Sequence, residues 1–367
     1  MAVQMTNSKA LFMVQSPLHI HNAREAIIKF GITHPTFLVV TSKHNAKWAQ
    51  MMIAALPVNA NSLFCERNDF DLEGCTQGYA KHIPWLKEQA FDLVFFSDSR
   101  LYIFIDIVNS LQHPCTYLMD DGTGIIQTVE SLKHTGKYFD ITQSSSPTRQ
   151  QAIEKVKKKY GLWQLTPVKY DLFTAFDFES CEQFKVVANP MSQIATHHPK
   201  TNPNQVLFLG QPLAKYGYIT QDSYVAHVKA VRQFYSGMDF QYLAHPREDG
   251  SYLEELQDND GVILVKTQLS VEQYLLQSSL PPSVLSSFFS AALWYVAKFQ
   301  TGITVDAHRF NTECFTSDAQ LRMSRSSHLS ILDIFELIYD YYKLRMNLIE
   351  PMQSVTVNSS VATSHTT

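Results

Sequence analysis

The segment ALFMVQSPLHIHNAREAIIKFGITHPTFLVVTS, residues 10–42, contains two apolar runs of strand length separated by a stretch of helical composition. The runs cover residues 10–15 and 36–42, and the intervening stretch covers residues 21–31. Strands that alternate with helices are typical of βαβ units, in which consecutive strands lie parallel in one sheet. This segment therefore predicts an α/β fold with a parallel sheet.

The same alternation occurs in two series along the chain. The first continues with runs at residues 46–56, 91–97 and 115–119. The second contains runs at residues 205–210, 222–237, 240–245, 261–266, 270–277, 283–287 and 288–299. Between the two series, the segments SSSPTRQQAIEKVKKKYG and NPMSQIATHHPKTNPNQ are poor in apolar residues and marked by Pro, Ser and Asn, so a domain boundary is expected within residues 145–203. We predict an N-terminal domain with linker (1–190), a C-terminal domain (191–350) and a disordered tail (351–367).

Composition narrows the class of protein. A chain of 367 residues suits two domains of about 150 to 200 residues each, so a cleft between them is the expected functional site. The net charge of −4 gives no basic field for nucleic acid. Five cysteines without a CxxC pair indicate neither a disulfide framework nor a zinc site. With no signal peptide or membrane span evident, we expect a cytoplasmic protein.

An acidic turn, Asp120-Asp121-Gly122, directly follows the apolar run at residues 115–119. In a parallel sheet, ligands bind outside the carboxyl ends of the strands. Because successive strand side chains point to opposite faces, one acid can face the cleft while the other braces the turn. Gly122 permits a positive φ or a close backbone approach. The turn is a candidate for a general base or a sugar-hydroxyl acceptor, and a solvated turn is the alternative.

Histidine precedes proline four times, at residues 34, 113, 198 and 245. Only His245 ends a strand-like run of the second domain, FQYLAH. Pro246 favours an extended conformation at His245 and ends the strand, which would present the imidazole at a carboxyl end. His245 is therefore the candidate catalytic histidine, with a purely structural role as the alternative.

Three strand-to-helix junctions carry further candidates. Ser286 and Ser287 lie between a predicted strand and helix, where hydroxyls and free backbone N–H groups suit a phosphate, although one serine could simply cap the helix. The other two junctions carry residues that could cap a helix or contact a ligand, namely Gln15, Ser16, Gly210 and Gln211. Glu272 lies in a predicted surface helix.

Together these residues resemble the bacterial sialyltransferases, in which an acid-acid-glycine turn, a His-Pro pair and a serine pair occur in this order. Glu272 and Ser286 follow His245 by 27 and 41 residues, similar to the histidine, ribose-contacting glutamate and phosphate-binding serines of those enzymes. The segments LFMVQSPLHIHNA, LFLGQPL and YLAHPRE most resemble glycosyltransferase family 52, the lipooligosaccharide sialyltransferases. The resemblance covers about residues 10 to 300.

The resemblance implies a GT-B-type enzyme, with two Rossmann-like domains whose parallel sheets face a central cleft. It would transfer sialic acid with inversion from CMP-sialic acid to a galactose-terminated glycan, without a metal or cofactor. The catalytic residues would be Asp120 or Asp121 as the base, with Asp120 preferred, and His245 acting on the CMP phosphate. In donor binding, Ser286 and Ser287 would hold the phosphate and Glu272 the ribose. The other expected donor-binding residues are Gln15, Ser16, Gly122, Gly210, Gln211 and Pro246.

Two other functions remain open at this point. One is a GT-B transferase that uses another nucleotide sugar, and the other is a nucleotide- or glycan-binding protein without turnover. Residues 154–163, EKVKKKYGLW, could form a basic helix that rests on the cytoplasmic face of a membrane, with a solvated helix face as the alternative. The acceptor glycan, the linkage and the oligomeric state cannot be determined from the sequence.

Overall fold

A computed structural model of the protein describes residues 8–42, 46–68, 70–136, 147–248, 252–267, 269–320 and 329–351. Within them, the strands form two large sheets in which every pair is parallel. Apart from Pro351, the predicted disordered tail lies outside the described residues. The predicted boundary at residue 190 falls between Ala188, the end of the first sheet, and Asn202, the start of the second.

The first sheet has the strand order β3-β2-β1-β4-β5-β6-β7. Its strands are β1 (Ser8–Val14), β2 (Ile32–Ser42), β3 (Asn61–Arg67), β4 (Leu93–Phe96), β5 (Thr116–Met119), β6 (Asp171–Thr174) and β7 (Val186–Ala188). The helices of this unit are α1 (Pro17–Phe30), α2 (Ala46–Ala55), α3 (Leu72–Ala80), α4 (Ile83–Glu88), α5 (Tyr102–Leu111), α6 (Gly124–Thr135) and α7 (Pro147–Lys159).

The second sheet has the order β11-β10-β9-β12-β14-β15. Its strands are β9 (Asn202–Leu209), β10 (Asp239–Leu243), β11 (Ile263–Val265), β12 (Pro282–Ser287), β14 (Thr304–His308) and β15 (Asn347–Ile349). The helices are α8 (Gln221–Phe234), α9 (Leu253–Asp260), α10 (Val271–Gln277), α11 (Ala291–Phe299) and α12 (Ile331–Tyr342). A separate pair joins β8 (Thr196–His197) to β13 (Gln300–Thr301).

The β1–α1–β2 unit shows why the opening segment folds as it does. Almost all of β1 is buried, and Phe12 stacks on Phe95 with ring centroids 4.8 Å apart. The strand ends before Ser16, whose Oγ accepts the His19 N–H at 3.3 Å and caps α1. Gly31 ends the helix at φ 64°, a conformation that glycine adopts without steric cost. A capped helix thus returns the chain to a strand parallel to β1.

Both sheets reverse their strand order beside their first strand. In the first sheet the reversal lies between β1 and β4, and in the second it lies between β9 and β12. This order is that of the Rossmann fold, in which the crevice at the reversal holds the ligand. The prediction of two Rossmann-like domains with parallel sheets is confirmed.

Aromatic packing and ion pairs join the two units beyond the end of β6. Phe176 stacks on Trp294 of α11 with centroids 5.0 Å apart, and the Trp294 indole N–H donates to the Ala175 carbonyl at 3.1 Å. Asp177 forms ion pairs with Lys298 and Arg345. The segment after β6 is therefore anchored in the second unit.

The predicted basic helix, residues 154–163, overlaps the second half of α7, which ends at Lys159. Lys157 pairs with buried Asp106 at 2.7 Å, Lys158 pairs with Glu154 on its own helix, and Lys159 pairs with a glutamate of α3. These charges are therefore engaged within the protein, which favours the interpretation of a solvated helix face. Among the described helices, none is both long and apolar enough to cross a bilayer.

We expect Phe176→Ala to lower the free energy of unfolding by about 3 to 5 kcal/mol, because the ring is almost fully buried against Trp294. Urea unfolding followed by tryptophan fluorescence measures the effect. Phe70→Ala is the matched control, since the Phe70 side chain is 92% exposed. Equal losses in the two variants would contradict the importance of this contact.

Candidate functional site

Three neighbouring strands of the first sheet end at the edge where its strand order reverses. β1 is followed by Gln15, Ser16 and the start of α1, β4 by Asp98 to Arg100, and β5 by the acidic turn. Gln15 Nε2 donates to Asp98 Oδ2 at 2.9 Å and so joins the first two loops. The acidic turn predicted from the sequence thus lies within a larger polar cluster.

Asp121 is held by two partners from different parts of the chain, Arg100 in the loop after β4 and His19 in α1. Arg100 forms an ion pair with its Oδ2, and His19 Nε2 lies 3.0 Å from its Oδ1. Gly124 leaves room for Arg100, because a Cβ at this position would lie 2.7 Å from Arg100 Nη2. Burial alone would raise the pKa of Asp121, but the Arg100 charge and the His19 hydrogen bond outweigh it, so this pKa is lowered.

The hydrogen bonds of His19 determine its tautomer. The Gln15 backbone N–H donates to His19 Nδ1 at 3.2 Å, so Nδ1 accepts and the neutral ring carries its proton on Nε2. That N–H therefore donates to Asp121. His19 is 1% exposed and belongs to the capped first turn of α1, so its orientation is fixed by the helix start.

Asp120 points away from the cleft and is completely buried. Its Oδ2 accepts the Ala175 N–H at 2.8 Å, and its backbone carbonyl accepts from Asn22 Nδ2 at 3.1 Å. Burial raises the pKa of Asp120 to about 7, against the opposing hydrogen bond from Ala175. This placement does not support the preference for Asp120 as the base, since alternation along the chain puts Asp121 at the cleft instead.

On the second sheet, Gly210 and Gln211 follow β9. A Cβ at Gly210 would collide with the Tyr242 hydroxyl and the Glu248 carboxylate, so glycine is required by packing at this position. The Gln211 backbone N–H donates to Tyr224 Oη at 2.8 Å, and its Oε1 accepts the Phe289 N–H at 3.3 Å. Gln211 therefore connects the ends of β9 and β12.

His245 lies in the turn after β10. The Arg247 backbone N–H donates to His245 Nδ1 at 3.1 Å, which leaves the proton of the neutral ring on Nε2. Burial lowers the pKa of His245 to about 3, and the Arg247 charge adds to the effect. The imidazole is therefore neutral at physiological pH and can donate one hydrogen bond from Nε2.

The other three His-Pro histidines lie outside the cleft lining. His34 is exposed within β2, which begins at Ile32 and therefore earlier than predicted. His113 Nε2 lies 2.7 Å from the Phe91 carbonyl, and His198 is buried after β8. Selecting among the four by strand position thus singled out the histidine that lines the cleft.

The serine pair differs from its predicted placement. Ser286 and Ser287 are the last residues of β12, are completely buried, and do not line the cleft. Ser287 Oγ donates to the Leu209 carbonyl at 2.8 Å. Neither serine caps α11, because Ser290 is its N-cap residue. The strand ends at Ser287, where the predicted run also ends, but α11 begins at Ala291, three residues after the predicted start of the helix at residue 288.

Between the two sheets lies a cleft with a volume of about 490 Å³. The predicted site residues that line it are Ser16, Asp121, Gly122, Gly210, Gln211, His245, Pro246 and Glu272. Those outside the lining are Gln15, Asp120, Ser286 and Ser287. The structure thus brings the acidic turn and the His-Pro turn to one cavity.

The lining residues that were not predicted include His19, Arg100, Arg247 and Ser290. Their positions carried a signal, because Arg100, Arg247 and Ser290 lie in loops that follow strands. The segment FFSDSR places Arg100 just beyond β4, and YLAHPRE places Arg247 just beyond β10. Ligands bind beyond the carboxyl ends of strands, and this rule predicted the acidic turn. Applied to the other strands, it would also have selected Arg100 and Arg247.

A family model described as alpha-2,8-polysialyltransferase (POLYST) matches residues 10–308. The chain belongs to this family. The polysialyltransferase match confirms the resemblance to bacterial sialyltransferases and makes the protein a glycosyltransferase. The narrower resemblance to glycosyltransferase family 52 stays a prediction. No curated protein matches the chain significantly.

Solved structures resemble this polysialyltransferase family member in fold. UGT2 of Phytolacca americana is 12% identical, with 95% of this chain and 86% of that chain covered and a TM-score of 0.50. A putative UDP-N-acetylglucosamine 2-epimerase from Listeria monocytogenes is 11% identical, with coverages of 94% and 92% and a TM-score of 0.50. An alpha-2,3-sialyltransferase from Photobacterium phosphoreum is 10% identical, with coverages of 94% and 98% and a TM-score of 0.47. The GT-B-type fold is confirmed.

We expect the free energy of unfolding of Asp120→Asn, compared with that of the wild type, to increase by about 2 kcal/mol as the pH rises from 5 to 8. The folded pKa of about 7 lies above that of an unfolded aspartate, about 4, so wild-type stability falls as the pH rises through this window. Asparagine cannot ionise, so the variant does not lose stability in this way as the pH rises. Denaturant unfolding at both pH values measures it, with exposed Asp239→Asn as the control. A pH-independent difference would contradict the buried, neutralised carboxyl.

Proposed function

We propose that this glycosyltransferase is an inverting sialyltransferase that moves sialic acid from CMP-sialic acid to a glycan hydroxyl. The observation that carries the proposal is that Asp121 of one sheet and His245 of the other line the same cleft, in a chain of the polysialyltransferase family. An acceptor base and a leaving-group donor must both reach the bond that is exchanged. The cleft supplies one such group from each unit.

In this proposal Asp121 is the general base. Its ion pair with Arg100 and its hydrogen bond from His19 favour the ionised form, so it accepts a proton rather than donating one. A carboxylate with a lowered pKa is a weak base, and the acceptor hydroxyl becomes acidic enough only as its oxygen bonds to the anomeric carbon. Asp121 would then take the proton late in the reaction.

His245 would act on the departing CMP. Its Nε2–H can donate to a phosphate oxygen because Nδ1 is already occupied by the Arg247 N–H. The charge on that oxygen grows as the bond to the sugar breaks, so this hydrogen bond strengthens in the transition state. CMP leaves with the bonding electron pair, and attack from the opposite face inverts the anomeric carbon.

The phosphate site is proposed at the start of α11 rather than at the predicted serine hydroxyls. Ser290, Ala291 and Ala292 line the cleft, and Ser290 makes no capping hydrogen bond. Free backbone N–H groups at a helix N-terminus favour an anion. Glu272, in the first turn of α10, lines the same cleft and remains the proposed ribose contact.

The acceptor is a separate question. The family description favours a sialic acid-terminated glycan and an α-2,8 linkage, whereas the resemblance from sequence favours a galactose-terminated glycan. Incubation with CMP-sialic acid and fluorescent glycans of both kinds, followed by linkage-specific sialidases, distinguishes them. Parallel reactions with UDP- and GDP-sugars test the alternative donors. CMP binding without transfer to any acceptor would instead support a binding protein without turnover.

We expect Asp121→Asn to lower kcat by about 10²- to 10⁴-fold, the usual contribution of a general base. The amide keeps the size of the side chain but cannot take the proton. Steady-state transfer assays measure the loss, and Asp120→Asn should retain much more activity because Asp120 is buried behind the cleft. The assignment fails if Asp120→Asn is the more damaging of the two.

We expect His245→Ala to lower kcat by about 10²-fold or more, while the Kd for CMP from calorimetry changes far less. The reason is that its hydrogen bond strengthens in the transition state. His34→Ala is the matched control, since His34 is an exposed His-Pro residue outside the cleft. A weakened Kd with an unchanged kcat would reduce His245 to a binding residue.

A further inference from the structure

The Glu248 carboxylate accepts three hydrogen bonds beneath the His-Pro turn. Its Oε1 accepts from the Tyr242 hydroxyl at 2.6 Å and from the Tyr252 hydroxyl, and its Oε2 accepts the His245 backbone N–H. A carboxylate is the side chain that can accept from three donors without presenting one of its own. Burial raises the pKa of Glu248, and the two tyrosine hydrogen bonds oppose this.

The turn itself is closed by residues 247 and 248. The Glu248 N–H donates to the His245 carbonyl at 2.8 Å, and the Arg247 N–H donates to His245 Nδ1 at 3.1 Å. The backbone N–H, the carbonyl and one ring nitrogen of His245 are therefore all bonded within four residues. Because Nδ1 accepts a hydrogen bond, the neutral ring carries its proton on Nε2.

The same carboxylate ends a longer chain of hydrogen bonds. The Gln211 N–H donates to Tyr224 Oη at 2.8 Å, and the two hydroxyls of Tyr224 and Tyr242 lie 2.9 Å apart. With Tyr242 donating to Glu248, each hydroxyl can accept from one neighbour and donate to the next, so the chain runs in one direction toward the negative charge. Glu248 thereby connects the ends of β9 and β10.

Glu248 itself does not line the cleft, whereas His245, Pro246 and Arg247 do. It lies against Gly210, where a Cβ would collide with its carboxylate. Any influence on transfer must therefore pass through the residues above it.

We propose that Glu248 is a positioning residue, which fixes the backbone of the His245 turn so that Nε2–H is directed at the leaving group. The proposal rests on the proposed function of His245. Glu248 lies three residues beyond His245, and together with the tyrosines that donate to it, it sets the orientation of the His245 side chain.

Glu248→Gln tests the proposal, because the amide keeps the shape but replaces one acceptor oxygen with a donor. We expect kcat to fall about 10-fold or more while the Kd for CMP changes by less than about 3-fold. Tyr252→Phe, which removes one donor and leaves the His245 N–H bonded, should lose less. Glu254→Gln, an exposed position on α9, is the matched control and should match the wild type.

A double-mutant cycle separates positioning from general stability. If Glu248 acts through His245, then Glu248→Gln in the His245→Ala background should cause little further loss, about 2-fold or less, in single-turnover transfer. A merely structural role predicts the same loss in both backgrounds. An additive cycle would overturn the proposal.

Nitrogen NMR of ¹⁵N-histidine-labelled protein gives a measure that does not require transfer. The His245 signal is assigned by its absence in His245→Ala. In the wild type it should show the neutral Nε2–H tautomer alone, and in Glu248→Gln it should show a mixture of tautomers. If the wild type transfers no sialic acid, the proposed function fails while this spectrum still decides the role of Glu248. An unchanged spectrum together with an unchanged kcat would refute that role.

Discussion

The reversal of strand order in each parallel sheet is the constraint on which the site depends. All strands of such a sheet end at one edge, and the loops on either side of the reversal diverge to opposite faces, which opens a crevice. Here β1 and β4 flank one crevice, and β9 and β12 flank the other. The cleft residues come from the loops that follow these strands and their neighbours, so the chemistry is assembled from segments far apart in the chain.

Two adjacent carboxyl groups acquire different properties from this arrangement. Asp120 points into the protein, where burial raises its pKa, and Asp121 points to the cleft, where Arg100 and His19 lower its pKa. Environments that shift the pKa values of neighbouring acids in opposite directions are typical of sites where protons are transferred. On the other side of the cleft, burial keeps His245 neutral, so its contribution is a directed hydrogen bond rather than a charge.

Much of this organisation could be predicted from the sequence. The alternation of apolar runs predicted the parallel sheets, and the position of His245 after a strand distinguished it from three other histidines. The predicted strand ended at Ser287, as β12 does, but its two serines do not line the cleft, because both are completely buried in a strand that lies between β9 and β14. The preference for Asp120 over Asp121 came from the resemblance alone, since a sequence cannot tell which of two successive side chains faces a cleft.

The sequence by itself determined the fold class, the two units and the polar residues that follow the strands, because these depend on local hydrophobic periodicity. Only the tertiary structure decided which of those residues meet. His19 and Arg100 reach Asp121 across 102 and 21 residues of chain, because β1, β4 and β5 lie side by side in the sheet. Strand order is set by the packing of the whole domain, so it cannot be predicted from any short segment of the chain.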